Sequence, residues 1–192
     1  MNRDNYDRVT KVLSIIKDDL DLVRQIKGEE FLEAKADMGT LVHKVCEQYN
    51  LFKMGVQEFD EEIVLEPESQ EVKDRFYQFR KWVDENVKEV ICAEKQVYLD
   101  AYKVRGTCDM VAIIKGDKKL SLIDIKNTAQ IGPKARLQLA GYQMALEAEK
   151  LHCERRIALQ LFTDDCKAVE FEAHATDKNL FLNALNLFRH LK

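Results

Sequence analysis

The stretch from Ile91 to Asn127 constrains the fold most, because hydrophobic periodicity changes there from a helical to a strand repeat. Just upstream, Val72, Phe76, Phe79, Val83 and Val87 recur at three- and four-residue spacing. They predict a helix from near Glu68 to Val90. Ile91–Leu99, Lys103–Ile114 and Lys119–Asn127 are short and rich in β-branched residues, and they read as strands. Lys115-Gly116-Asp117-Lys118 predicts a hairpin turn between the last two.

The rest of the chain supplies helices to cover that sheet. Tyr6, Val9, Leu13, Ile16, Leu20 and Val23 form one apolar stripe, read as a helix packed on its own domain. A second helix is predicted from Asp37 to about Asn50. Another begins at Pro133 and runs to about Lys150. Strands at Arg156–Phe162 and Ala168–Glu172 and a final helix from about Asp177 complete the pattern. Helices, three strands, helix, two strands and helix make an α/β fold with helices around a mixed sheet. No repeat or linker divides the 192 residues, so a single domain is expected over 1–192, with residues 1–37 as an N-terminal helical extension.

Composition excludes several classes. Seven glycines and two prolines rule out collagen-like and low-complexity chains. No run approaches the ~20 apolar residues of a membrane span. The N-terminus carries no signal-peptide core, so a cytoplasmic protein without membrane contact is expected. Five scattered cysteines without a Cys-x-x-Cys pair read as free thiols. A net charge of −4 argues against a generally basic nucleic-acid coat, but leaves room for a local site charged by bound metal.

The hairpin carries the chemistry. With the turn centred on Gly116-Asp117, residues whose numbers sum to 233 face each other. Val111 meets Leu122, Ile113 meets Leu120, and further out Asp109 meets Asp124. Lys126 shares that face, two residues beyond Asp124. Directly opposed carboxylates repel. A proton on one, or a cation between them, would relieve this, and magnesium binds through one or two carboxylates plus phosphate oxygens. With a turn near Asp100-Ala101, Glu94 lies opposite Thr107 and diagonal to Asp109. Three carboxylates and a lysine on one patch suit metal-assisted phosphodiester hydrolysis. Acid-x-Lys occurs five times in the chain, but only Asp124 follows an apolar strand run after an upstream strand bearing an acid.

Five motifs in order then resemble those of the PD-(D/E)xK nuclease superfamily, and within it the RecB-type exonuclease branch. Gly39-Thr40-Leu41-Val42-His43 is similar to Gly-x-x-x-His, and Glu94 to the branch's acidic strand residue. Gly106-Thr107-Cys108-Asp109 is similar to Gly-x-x-Asp, and Asp124-Ile125-Lys126 to Asp-x-Lys. Gln138-Leu139-Ala140-Gly141-Tyr142 is similar to Gln-x-x-x-Tyr. The resemblance runs from about Met38 to Tyr142.

It implies a restriction-endonuclease-like core over 38–192 and a divalent-metal site, Mg²⁺ or Mn²⁺, built from His43, Asp109, Asp124 and the Ile125 carbonyl. Glu94 would support the metal or its water, and Lys126 would be the catalytic lysine. Gln138 and Tyr142, four apart on one helix face, could grip a strand. Lys134, Arg136, Arg155 and Arg156 are candidate phosphate contacts. Two departures stand out: Ile125 replaces a frequently aromatic residue, and the threonine after the lysine is displaced to Thr128. The late cysteines are only Cys153 and Cys166, so no iron–sulfur cluster is expected. The implied activity is a DNA exonuclease of recombination, repair or phage DNA processing. It would need a recombination or helicase partner for unwinding, or would act on free ends and single strands, and the N-terminal stripe could serve a homo-oligomer. An endonuclease or junction resolvase, or a silent binding module on the same fold, is the alternative.

Overall fold

The secondary structure follows these patterns with instructive shifts at the element ends. The structure, a computed structural model, describes residues 3–16 and 29–192, with only the backbone at 31 and 32. A two-residue strand β1 (Asp7–Arg8) leads into a single helical turn α1 (Val9–Val12) and a 3₁₀ turn at Leu13–Ile15. Helix α2 (Glu29–Lys53), the short α3 (Glu61–Leu65) and α4 (Gln70–Asn86) come next. Strands β2 (Val87–Leu99), β3 (Val104–Ile114) and β4 (Leu120–Lys126) form the central meander. Helix α5 (Pro133–Ala148), strands β5 (Arg155–Leu161) and β6 (Cys166–Glu170), and helix α6 (His174–His190) complete the chain.

The helix expected to reach Val90 stops at Asn86. Ser69 caps its start, its hydroxyl accepting from the Val72 amide. At the other end Val87-Lys88-Glu89-Val90-Ile91 favours a strand through its β-branched residues, and β2 pairs along the whole of β3. The first apolar stripe is only partly helical. Asp7 and Arg8 lie parallel to Val104 and Arg105 on β3, while Val9, Val12 and Leu13 are buried beneath α5 and α6. Ile15 and Ile16 pack against the same cluster, and Leu20 and Val23 lie outside the described residues.

Among the described residues the sheet has six strands, in the order β1-β3-β4-β5-β6 with β2 on the other edge of β3. β4 and β5 run parallel, joined through α5; the other pairs from β2 to β6 are antiparallel. One face packs on α5 and α6 through Leu122, Leu139, Leu146, Phe181 and Leu185. The other packs on α2 and α4 through Val42, Val45, Phe76, Phe79, Ile123 and Leu159. Because β1 covers β3 only at Val104–Arg105 and β4 only at Met110–Ile113, the same edge of β3 is left open between them. That notch is where the functional residues gather. Among the described residues no helix is long and apolar enough to cross a membrane.

Arg156 departs from the expectation of a phosphate contact. It is fully buried, donates to Asp177 Oδ2 at 2.8 Å and also reaches the carbonyls of Phe171 and Arg136. It ties β5 to the start of α6. Removing one partner of a buried pair strands the other charge. Asp177→Ala is therefore expected to cost about 3–5 kcal/mol, read by urea unfolding.

Candidate active site

Two local features of the β2–β3 ladder aim the acidic side chains. The register pairs Ala93 with Met110 and Lys95 with Cys108, which sets Glu94 level with Asp109. The sequence reading placed Glu94 opposite Thr107. The two-residue difference arises at the turn, which is a four-residue link: a 3₁₀ turn at Asp100–Tyr102 followed by the left-handed Lys103. Glu94 itself is left-handed, with φ +44°. Such a backbone costs on the order of 1–3 kcal/mol and re-aims the side chain. Opposite it, β3 changes face: Cys108 packs beneath α5, and Met110 beneath α2.

The hairpin register expected around Gly116 holds, with Val111 opposite Leu122 and Ile113 opposite Leu120. The ladder ends at Met110 with Ile123, so Asp109 and Asp124 lie just past it. Asp109 Oδ2 accepts the Ile125 amide at 2.6 Å and lies 3.4 Å from His43 Nδ1. One ligand atom each from His43, Glu94 and Asp109 falls within a mutual 4.8 Å. Asp124 stands apart from that triad: it is 1% exposed, and its Oδ2 is 2.7 Å from Lys126 Nζ. The Lys126 ammonium thus pairs with Oδ2, while Asp124 Oδ1 is buried with no hydrogen-bond partner among the described residues.

This electrostatic arrangement favours protons or cations. Burial, then the charge of Asp124, pushes Asp109 up to about 6, although His43, the Ile125 amide and Lys126 oppose the rise. Burial, with Asp109, Glu47 and Asp124, pushes Glu94 up to about 8. Burial works against the Lys126 ammonium, but Asp124 and Asp109 outweigh it and hold its pKa above the ordinary lysine value.

Lys126 is fixed by a relay from α5. Its Nζ donates to Gln138 Oε1 at 2.9 Å, and Gln138 Nε2 donates to the Tyr142 hydroxyl at 3.0 Å. Tyr142 is buried, with its ring against Gly106. The polar atoms of Gln138 and Tyr142, expected to grip a strand, are thus engaged in orienting Lys126. A Cβ at Gly106 would run into the Tyr142 ring. Gly106→Ala is expected to lower stability by about 1–3 kcal/mol, measured by chemical denaturation.

A cleft of about 630 Å³ opens here, bounded by α2 on one side and by β2, the middle of β3 and the end of β4 on the other. His43, Glu94, Asp109, Ile125 and Lys126 line it together. Lys134 shares the α5 face of Gln138 by its four-residue spacing, but does not line the cleft. Arg136 turns away to Asp177, 3.4 Å distant, and Arg155 pairs with Glu170 at 2.6 Å. Glu47 and Asn127 line the cleft and were missed by the sequence reading. Glu47 follows His43 by four residues, a spacing that could have flagged it. Asn127, whose buried amide has no partner among the described residues, carried no such signal.

A mixed sheet between helices, with carboxylates, a histidine and a lysine at one notch, defines the class of metal-dependent nucleases with a restriction-endonuclease-like core. The chain belongs to the PD-(D/E)XK nuclease superfamily, whose family model matches residues 17–189. No curated protein matches it in sequence. Among solved structures it is similar to the crystal structure of SSO0001, at 15% identity and TM-score 0.42, over 97% of this chain and 78% of that one. It is also similar to the crystal structure of LHK-Exo in complex with dAMP, at 15% identity and TM-score 0.41, over 99% and 93%.

Proposed function

We propose that this nuclease is a DNA exonuclease of the RecB-type branch that hydrolyses phosphodiester bonds from strand ends with Mg²⁺ or Mn²⁺. The observation that carries the reading is the pair of buried carboxylates, Asp109 and Asp124, at one cleft, with a single ammonium, Lys126, 2.7 Å from Asp124 Oδ2 and with Asp124 Oδ1 lacking a hydrogen-bond partner among the described residues. Two adjacent buried carboxylates that share one ammonium are costly without a further cation. The residues present fit a divalent cation: oxygen-rich, with one imidazole, and raised carboxyl pKa values that mark an uncompensated negative site.

His43, Asp109, Asp124 and the Ile125 carbonyl would hold the ion, with Glu94 beside it. A divalent ion there supplies Lewis-acid stabilisation of phosphate charge and acidifies a water. The chain's own groups do the rest. Lys126 presents a permanent cation at the cleft, held in place by Asp124 and Gln138, to orient the attacking water and offset charge in the transition state. Gln138 and Tyr142 act as positioning residues through Lys126. The cleft walls on α2 admit a strand between Thr40, Lys44 and the acids.

End-labelled linear DNA set against a closed circle, with Mg²⁺ or Mn²⁺, tests the reading. Short products released from the linear ends while the circle survives are expected. A cut circle makes the protein an endonuclease, and binding without cleavage makes it a silent module.

A further inference from the structure

A second cleft of about 310 Å³ adjoins the first and shares Thr107 with it. It is lined by Arg8, Gln96, Tyr98, Arg105, Gly106 and Tyr142, among others. The register builds it: Arg8 on β1 pairs with Arg105 on β3, and Tyr98 on β2 pairs with Arg105 from the other side. The notch in the sheet at Gly106 opens it toward the acids.

The arginines make this cleft unlike the rest of the surface. All ten arginines of the chain except Arg24 lie in described residues. Seven of them pair with an acid: Arg3, Arg75, Arg80, Arg136, Arg155, Arg156 and Arg189. Among the described residues Arg8 and Arg105 have no such partner, and they stand side by side. Like charges opposite each other on neighbouring strands repel. The Arg105 Nε is also buried without a hydrogen-bond partner among the described residues. In an acidic chain with carboxylates to spare, two adjacent uncompensated guanidiniums await an anion. A guanidinium fork matches phosphate geometry.

We propose that this second cleft holds a phosphate of the substrate strand that flanks the one at the acidic cluster, gripped by Arg8 and Arg105. Arg105 lies four residues from Asp109 along β3, about 13 Å at the strand rise. A nucleic-acid strand crossing Thr107 would reach both clefts. The Tyr98 side chain, with its hydroxyl donating to Gln96 Oε1 at 2.7 Å and Arg3 stacked 4.3 Å from its ring centre, forms a stiff wall beside that phosphate. The inference rests on the nuclease reading above and extends its substrate path.

The test compares wild type with R8Q/R105Q and R8K/R105K on a labelled single-stranded DNA oligomer, by cleavage kinetics and by fluorescence anisotropy. R8Q/R105Q is expected to raise KM by about tenfold or more, the loss of charge-assisted phosphate contacts, with kcat much less affected. The slope of log affinity against log salt is expected to fall by about 0.7 for each lost contact. R8K/R105K should restore that slope, since it keeps the charge. A neutral methylphosphonate at one linkage near the cleaved bond should weaken wild type and leave R8Q/R105Q unaffected. Unchanged KM, affinity and salt slope in a folded R8Q/R105Q overturn the proposal. If wild type binds DNA without cutting it, the nuclease reading fails, and anisotropy of the same variants still decides the role of the cleft.

Discussion

Asp124→Asn and Lys126→Ala are each expected to lower DNA cleavage by about a thousandfold or more, within the range for deleting a group that stabilises developing charge. The two side chains form one unit: Lys126 Nζ sits 2.7 Å from Asp124 Oδ2 and is steered by Gln138. Groups that act together do not add, so the double variant should be little worse than either single one. Gln138→Ala removes the acceptor that steers Lys126 while leaving the ammonium in place. It should lower kcat about tenfold or more and spare KM. Steady-state kinetics on a labelled linear substrate, with circular dichroism to confirm folding, separates these outcomes. A Lys126→Ala protein as active as wild type would remove the lysine from the chemistry.

The second large effect is on stability and metal binding, and its sign follows from the acids. Asp109 and Glu94 are raised to about 6 and about 8, above ordinary values near 4. Between about pH 4 and 8 the folded, metal-free protein therefore binds more protons than the unfolded chain. Stability contributed by those protons is present below pH 4 and is lost as pH rises through 6 and then 8. Glu94→Gln removes its share of the penalty. Since Glu94 is partly exposed, solvent screening reduces that share to about 1 kcal/mol. The metal-free variant should then melt about 2–4 °C above wild type at pH 8 and level with it at pH 4. Mn²⁺ or Mg²⁺ reverses the order: wild type should gain more melting temperature from the ion than Glu94→Gln does, because binding to the folded state alone adds stability. Asp109→Asn should abolish most of that gain. Calorimetric scans at the two pH values, with and without metal, read all of this.

The sequence showed the meander, the helix at Pro133 and the hairpin register plainly, because alternation and turn residues are local signals. The pairing of Val111 with Leu122 follows from the turn centre alone. The position of Glu94 did not, because a four-residue link replaces the tight turn and shifts its partner by two. Nor does alternation reveal the left-handed Glu94 or the change of face at Asp109, which break the period of two. The capture of Asp7 and Arg8 by the open edge of β3 is a long-range contact that no local pattern encodes. Basic residues were the least legible. Arg136 and Arg156 looked like phosphate contacts beside the motifs, yet both serve Asp177. Arg8 and Arg105, far apart in sequence and outside the motifs' named positions, are the two that tertiary structure leaves unpaired by any acid among the described residues.

Incubating the purified protein with end-labelled single- and double-stranded DNA in Mg²⁺, Mn²⁺ or EDTA tests the central claim most directly. Short labelled products are expected with either metal or both, and none in EDTA. Intact DNA in both metals, from folded protein whose melting temperature rises with Mn²⁺, would contradict it.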